Sequence, residues 1–495
     1  MTSYNDLRIR QANDRPVMGE RGYVLYWMQA YRRLDHNHAL DRAVHWATQL
    51  DRPLAVYEGL RLDYPWASAR MHQFILEGMQ ANAAQANKLG LNYWPYVETP
   101  DQPARGLLRR LAKHACVIVT DDYPCFIMPG QTAALAAKAD VCVEAVDGNS
   151  IVPLAELGDA TPSAAVLRRR IHKTFAAAWP HHAAKTHCYS KKLTQQVAPP
   201  FDVWKAKDVR NFVAKLPFQD AVPPVPGVTG GAPAARAVLR RFIRQRLAGY
   251  AELRSPPAPR AEAHASGLSP YLHFGHISIE EVVAAVLETV EGWSLDSLHA
   301  KARGKREGFY CSDADVNAFL DEAITWRDVG LNWHWQRRTD TASLQEALPT
   351  WAWQTLQKHA DDKREHVYTL EEWEKGETHD ELWNAAQREL VATGQIHNYL
   401  RMVWGKKVLE WSASPDEAYR ILVHLNNKYA IDGRDPNSYS GILWCFGLFD
   451  RPWGPERPVF GKVRYMSCAN TARKFDLEAY FDYVARLPTI AAVRG

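Results

Sequence analysis

Short apolar runs alternate with longer helical stretches through residues 22–150, and the strand signals stop after residue 234. That switch restricts the chain to an α/β half followed by a helical half. Gly22-Tyr23-Val24-Leu25-Tyr26-Trp27-Met28 is an apolar run of strand length, followed by a helical segment at 37–50. Residues 53–57 read as a second strand and 71–89 as another helix, with further buried-strand candidates at 116–120 and 141–146. Alternation of this kind predicts a parallel, Rossmann-like sheet covered on both faces. No Gly-x-Gly-x-x-Gly follows the first strand, so the ordinary dinucleotide fingerprint is absent.

Residues 151–235 are less regular, and the Pro- and Gly-rich stretch at 217–233 reads as an exposed linker. We place the start of an all-α domain near Gly231, with a basic helix over 234–251. The expected organisation is an α/β domain at 1–165, a linker at 166–233 and a helical domain at 234–495. Thr378 with Glu381 reads as a capping box opening a helix that Gly394 stops, and Ser414-Pro415-Asp416-Glu417 opens another. Between them 397–411 forms a third helix, so Trp383 lies on one helix while Trp404 and Trp411 share the next.

Twelve of the 18 tryptophans lie from Trp293 onward, which suggests a shared purpose beyond core filling. The net charge of +4 is too small to identify a polyanion partner, so any nucleic-acid role rests on local patches. Seven cysteines (Cys116, Cys125, Cys142, Cys188, Cys311, Cys445, Cys468) contain no Cys-x-x-Cys pair, which argues for free thiols and against a zinc site or other metal centre. No secretory signal pattern opens the chain, and no apolar run reaches the roughly 18 residues of a membrane span, so the expected location is cytoplasmic.

Trp404 and Trp411 are two helical turns apart, about 10 Å along one face, and Trp383 on the preceding helix is within packing reach. Such indoles can relay electrons, and they are equally ordinary core packing; spacing alone leaves both open. Glu322 and Trp326 lie one turn apart, suited to a planar carbonyl-bearing ligand or to a solvated acid beside a core indole. The turn-rich segment 266–275 suits a phosphate group, although Ser-Pro helix starts are common. Basic clusters include Arg240-Arg241, Lys301 to Arg306, Lys406-Lys407 and 457–474, each compatible with a solvated helix face. In the last, Phe460 and Tyr465 interleave with Lys462 and Arg464, a pattern suited to a sugar-phosphate backbone and exposed bases.

Several motifs in order resemble the photolyase and cryptochrome flavoproteins, most of all the class II cyclobutane pyrimidine dimer DNA photolyases. They are Tyr-Trp-Met at 26–28, Leu-Ser-Pro-Tyr-Leu-His-Phe-Gly at 268–275 and Arg-Met-Val-Trp-Gly-Lys-Lys at 401–407. Leu-Asn-Asn-Lys-Tyr at 425–429, Asp-Gly-Arg-Asp-Pro-Asn at 432–437 and Arg-Pro-Val-Phe-Gly-Lys-Val-Arg-Tyr-Met at 457–466 follow. The resemblance implies an antenna-type α/β domain joined to a helical domain that binds FAD, active when fully reduced. It implies that Tyr250, Ser266, Leu268 and Ser269 hold the FAD phosphates, and that Asn398, Arg401, Asn426, Asp432 and Asp435 complete the cofactor site, with Asn426 facing flavin N5. Trp404, Trp383 and Trp411 match a photoreduction chain, in that order outward. Glu322, Trp326, Met402 and Trp444 match residues around a flipped dimer, while Arg457, Lys462 and Arg464 match the strand-holding face.

The implied activity is light-driven dimer repair in UV-damaged DNA by a monomeric carbon–carbon lyase, with a deazaflavin-type antenna as the family's usual second chromophore. Two alternatives are a cryptochrome-like blue-light receptor and a (6-4) photoproduct photolyase, the latter expected to carry a histidine pair near its lesion; His273 and His276 lie in the Ser-Pro-Tyr-Leu-His motif instead. Two departures stand out: Gly447-Leu448-Phe449-Asp450 replaces a longer His-containing stretch, and Asn398 stands where class II members often have Gly.

Overall fold

The computed structural model describes residues 4–187, 189–219, 222–338 and 343–494. Cys188 and positions 220–221 of the Pro-rich stretch lie outside the described residues. Six strands form one sheet: β1 (Ile9–Gln11), β2 (Tyr23–Met28), β3 (Leu54–Leu60), β4 (Asn92–Val97), β5 (Ala115–Asp121) and β6 (Val143–Val146), in the order β1-β6-β5-β2-β3-β4. All neighbours are parallel except β1, which runs antiparallel to β6 with Ile9 opposite Val146. β2 and β5 are buried along their whole length, as expected for parallel strands covered on both faces. Strand order reverses between β2 and β5, so a crevice opens beyond their carboxyl ends.

The four strands read from sequence are present, and β1 and β4 were not anticipated. β1 is a three-residue edge strand. β4 contains Pro95, which interrupts a strand pattern but is tolerated because β4 lies at the opposite edge. The helix expected at 37–50 runs His38–Leu50, with the Asn37 carboxamide accepting from the Ala39 and Leu40 N–H groups. That expected at 71–89 runs Ala69–Leu89 and ends on Gly90.

Beyond residue 150 the described residues hold helices and no strand. The helix read as 234–251 is divided: Ala232–Gln245 starts from Gly231, and a short Tyr250–Leu253 turn follows. The irregular stretch at 151–235 contains the Ala164–Ala178 helix, whose Leu167, Ile171 and Phe175 join the main helical core. Arg168 on that helix makes two bonds of 2.5 and 2.8 Å to Asp321, a buried pair at the start of the π-helical turn Asp321–Trp326. The segment between the halves thus buttresses a turn carrying two candidate site residues. The 217–233 stretch also packs: Val222, Val225 and Ala232 are buried.

The halves share one core, in which Met71, Phe74 and Met79 of the α/β half meet Tyr271, Phe274 and Ile277. Arg70 donates to the Tyr429 and Val391 carbonyls at 2.6 and 2.7 Å, and Arg33 to the Gly275 carbonyl at 3.0 Å. Among the described residues no helix is long and apolar enough to cross a membrane.

Candidate active site

Four helices build the site: Glu381–Thr393, Asn398–Glu410, Pro415–Tyr429 and Pro436–Cys445. The capping box expected from Thr378 and Glu381 does not form. Asp380 takes the cap instead, accepting from the Trp383 N–H at 2.8 Å, while the Thr378 hydroxyl donates to the Asn384 side chain at 2.7 Å. Gly394 ends this helix in the left-handed region, as read from sequence. Ser414 caps the third helix by accepting from the Glu417 N–H.

The turn between the third and fourth helices brings its polar groups back onto both. Gly433 approaches so closely that a Cβ there would sit 2.7 Å from the Asn426 carbonyl oxygen, a position only glycine can occupy without moving the turn. Asp432, just before it, accepts from Arg401 Nη2 at 3.2 Å. Asn426 is 4% exposed, and its amide has a single weak donation of 3.4 Å, to Asn427. A guanidinium, a carboxylate and a free-handed carboxamide suit the edge of a planar, polar heteroaromatic ring. Tyr250 and Leu268 are buried, and Ser266 accepts from the Leu268 N–H at 3.3 Å. Ser269 and Asn398 are exposed.

Asp435 is more heavily engaged than a free ligand would be. Its carboxylate accepts from the Asn437 N–H as the fourth helix's cap, and from Tyr123 Oη at 2.8 Å, with His273 Nδ1 at 3.2 Å. Its partners, His273 foremost, hold its carboxyl well below the usual range despite burial. Asp435 therefore ties the α/β half to the site's fourth helix. His276, fully buried, accepts from the Gly231 N–H at 2.9 Å.

Trp404 and Trp383 stack at 6.2 Å between ring centroids and 7° between planes. Trp383 Nε1 donates to the Trp404 carbonyl at 3.1 Å, and Trp404 Nε1 to Gln387 at 3.0 Å. Trp411 caps the second helix and has no ring contact with Trp383 among the described residues. Trp373 stands between them, 4.6 Å from Trp383 and 6.2 Å from Trp411. The aromatic series is thus Trp404, Trp383, Trp373, Trp411, and the third member escaped the sequence reading. Trp373 is wholly buried on a separate helix, Leu370–Lys375, so no periodicity links it to the others.

Glu322 sits on the π-helical turn, half-buried, 2.5 Å from Arg254 Nη1. Burial raises its carboxyl above the ordinary range, with Arg254 opposing. Arg254 in turn lies over the Tyr250 ring at 5.6 Å. Among the described residues no hydrogen bond or ring contact joins this group to Met402 or Trp444, which line a cavity of about 480 Å³ with Tyr399, Trp453, Arg457 and Arg464. Arg464 pairs with Asp450 at 3.0 Å and lies over Trp453 at 4.2 Å, so the shortened 447–450 stretch supplies the anchor for a cavity-wall cation. Lys462 is exposed, 3.6 Å from Glu456, and does not line the cavity. Lys406 and Lys407, read as compatible with a solvated face, are both buried. A larger cavity of about 580 Å³ opens at the carboxyl ends of β2, β3 and β4, lined by Trp27, Tyr57, Tyr96 and Phe126 with Arg32 and Arg109.

Glu389, on the Trp383 helix, accepts from Tyr480 Oη at 2.8 Å and from the His397 N–H at 3.3 Å. Burial pushes its carboxyl up to about 7 from an ordinary 4.5. The folded state therefore holds this proton more tightly than the unfolded chain. The associated stability is full below about 4.5 and is lost as pH rises through about 7, on the order of 3 kcal/mol. Glu389→Gln is expected to flatten this dependence, so that the melting temperature falls less between pH 5 and 8 than in the wild type. Equal falls would remove the assignment.

No family model matches the chain. It is 35% identical over 482 residues to the deoxyribodipyrimidine photo-lyase of Methanothermobacter thermautotrophicus, covering 97% of this chain and 98% of that one. The enzyme of the same name from Oryza sativa subsp. japonica is 36% identical over 483 residues, at 94% and 88% coverage. That from Potorous tridactylus is 30% identical over 488 residues, at 96% and 84%. Among solved structures, a class III photolyase from Agrobacterium tumefaciens superposes with a TM-score of 0.65 at 19% identity, over 96% of this chain and 89% of that one. A Synechocystis cryptochrome gives 0.62 at 16% identity, over 93% and 87%. These two likenesses establish the fold.

Proposed function

We propose that this chain, which belongs to the deoxyribodipyrimidine photo-lyase family, repairs cyclobutane pyrimidine dimers in DNA, in the manner of the class II enzymes. Bound, fully reduced FAD would supply the light-absorbing electron donor. One observation carries the reading: a single helical turn of Asn398–Glu410 serves three needs. Arg401 pairs with Asp432, Met402 lines the aromatic and basic cavity, and Trp404 begins the indole series.

The residues present suit FAD. Arg401, Asp432 and Asn426 offer donors and acceptors to the flavin edge, and Tyr250, Ser266, Leu268 and Ser269 would hold the phosphates. Trp444, Met402 and Trp326 would pack against a dimer turned out of the duplex, which a lesion that stacks and pairs poorly permits at low cost. Glu322 would hydrogen-bond a dimer carbonyl from its protonated form, which burial favours and the Arg254 ion pair opposes. Arg457 and Arg464, with Lys462 outside the cavity, would meet the phosphodiester backbone. The larger cavity at the sheet's carboxyl edge suits a second, light-collecting chromophore of deazaflavin type.

Dimer repair is favoured over the receptor reading because the relatives at 30% identity and above carry the lyase name, whereas the cryptochrome likeness is one of fold. It is favoured over (6-4) repair because no histidine lines the smaller cavity among the described residues, while His273 and His276 are held in structural contacts. The test is binding in the dark to matched oligonucleotides with and without one thymine dimer. Preference for the dimer is expected; equal affinity would count against repair.

A further inference from the structure

We propose that Lys406 is a positioning residue for Trp444, holding that indole from behind so that it is presented to an extrahelical base. The proposal rests on the reading of Trp444 as a wall of the lesion cavity. Lys406 is 0% exposed, and no carboxylate pairs with it among the described residues. Burying an ammonium without a counter-ion is costly, so its remaining contacts must fix it. Nζ donates to the Cys445 carbonyl at 2.7 Å and lies 3.5 Å from the Trp444 carbonyl, both at the end of the Pro436–Cys445 helix. There a cation satisfies carbonyls left without partners and opposes the negative end of the helix.

The same Nζ lies 4.6 Å from the Trp444 ring centroid, within cation–π range. Trp444 lines the 480 Å³ cavity and Lys406 does not, so the amine sits on the side of the indole away from the opening. Backbone geometry enforces the arrangement. At the preceding residue, Gly405, a Cβ would lie 2.5 Å from Cys445 Sγ, so the two helices cross closely just where Lys406 reaches under the helix end. The Lys406 ammonium thus touches both the backbone and the ring of Trp444, and Arg464 of the cavity wall also lies over that ring, farther off at 5.6 Å.

Burial lowers the Lys406 amine to about 8. The charged and titratable groups facing it are Cys445, whose thiol burial pushes up to about 11, and Asp450 with Arg464, which are joined in an ion pair. Raising the pH through about 8 removes the nearer of the two cations over the ring, leaving Arg464 at 5.6 Å, while the amine still reaches Cys445.

The experiment measures Kd for matched oligonucleotides with and without one thymine dimer, from pH 7 to 9, for the FAD-loaded wild type and Lys406→Met. At pH 7 the variant is expected to bind the dimer about tenfold more weakly, with undamaged DNA changed less than about twofold, as befits one charge-assisted contact. The wild type's preference for the dimer should decline above pH 8 and the variant's should be flat. A wild-type preference that is constant from pH 7 to 9 overturns the proposal even if the variant does not fold. A variant that keeps full preference also overturns it. A wild type with no preference at pH 7 would instead overturn the reading of the cavity itself.

Discussion

Trp404→Phe is expected to slow light-driven reduction of the oxidised, FAD-loaded protein about a hundredfold, equivalent to roughly 2.7 kcal/mol on the barrier. Repair by protein reduced chemically beforehand should change little. Phenylalanine keeps an aromatic ring in the stack on Trp383, so the helix pair stays packed, but it is far harder to oxidise than indole. The variant also gives up the Nε1 donation to Gln387 at 3.0 Å, a structural cost that the pre-reduced repair assay controls for. Absorbance of the flavin under blue light with a thiol reductant reads the first activity, and repair after dithionite reads the second. Equal loss of both with FAD still bound would remove the electron-relay assignment and leave the four indoles as core.

Glu322→Ala is expected to have the second large effect, on the substrate side. Losing one hydrogen bond from an acidic, half-buried group costs about 1.5–3 kcal/mol, or tenfold and more in dimer affinity, with a matching fall in repair yield. Its present partner is Arg254 at 2.5 Å, so substrate entry must share or displace that guanidinium. Glu322→Gln separates the two contributions, because the amide retains a donor for the dimer carbonyl without the charge that holds Arg254. Unchanged dimer affinity and yield in Glu322→Ala would end its proposed role.

The fold class was legible because buried parallel strands leave continuous apolar runs, as at Tyr23–Met28 and Ala115–Asp121. The two missed strands are edge strands whose existence depends on a neighbour rather than on their own pattern. Within the candidate site, Trp404, Arg401 and Met402 fall on one helix because the single motif at 401–407, matched by resemblance, carries all three. Trp373 and Arg254 were not, since each meets its partner only through tertiary packing; Arg254 and Glu322 stand 68 positions apart. Lys406 was misleading for a physical reason: two adjacent lysines resemble a wet helix face, yet both are buried, Lys406 against a helix end and Lys407 against Glu410, Trp411 and Tyr465. Thr378 and Glu381 carried the right residue types for a capping box, and Asp380 outcompeted them with a carboxylate two positions later.

The most direct measurement is recovery of thymine absorbance from an oligonucleotide carrying one cyclobutane dimer, with reduced, FAD-loaded protein under near-ultraviolet or blue light and a dark control. Light-dependent recovery with many turnovers per protein, and none in the dark, is the predicted result. A protein that binds FAD and responds to light but never restores thymine would contradict it and shift the assignment to a light receptor.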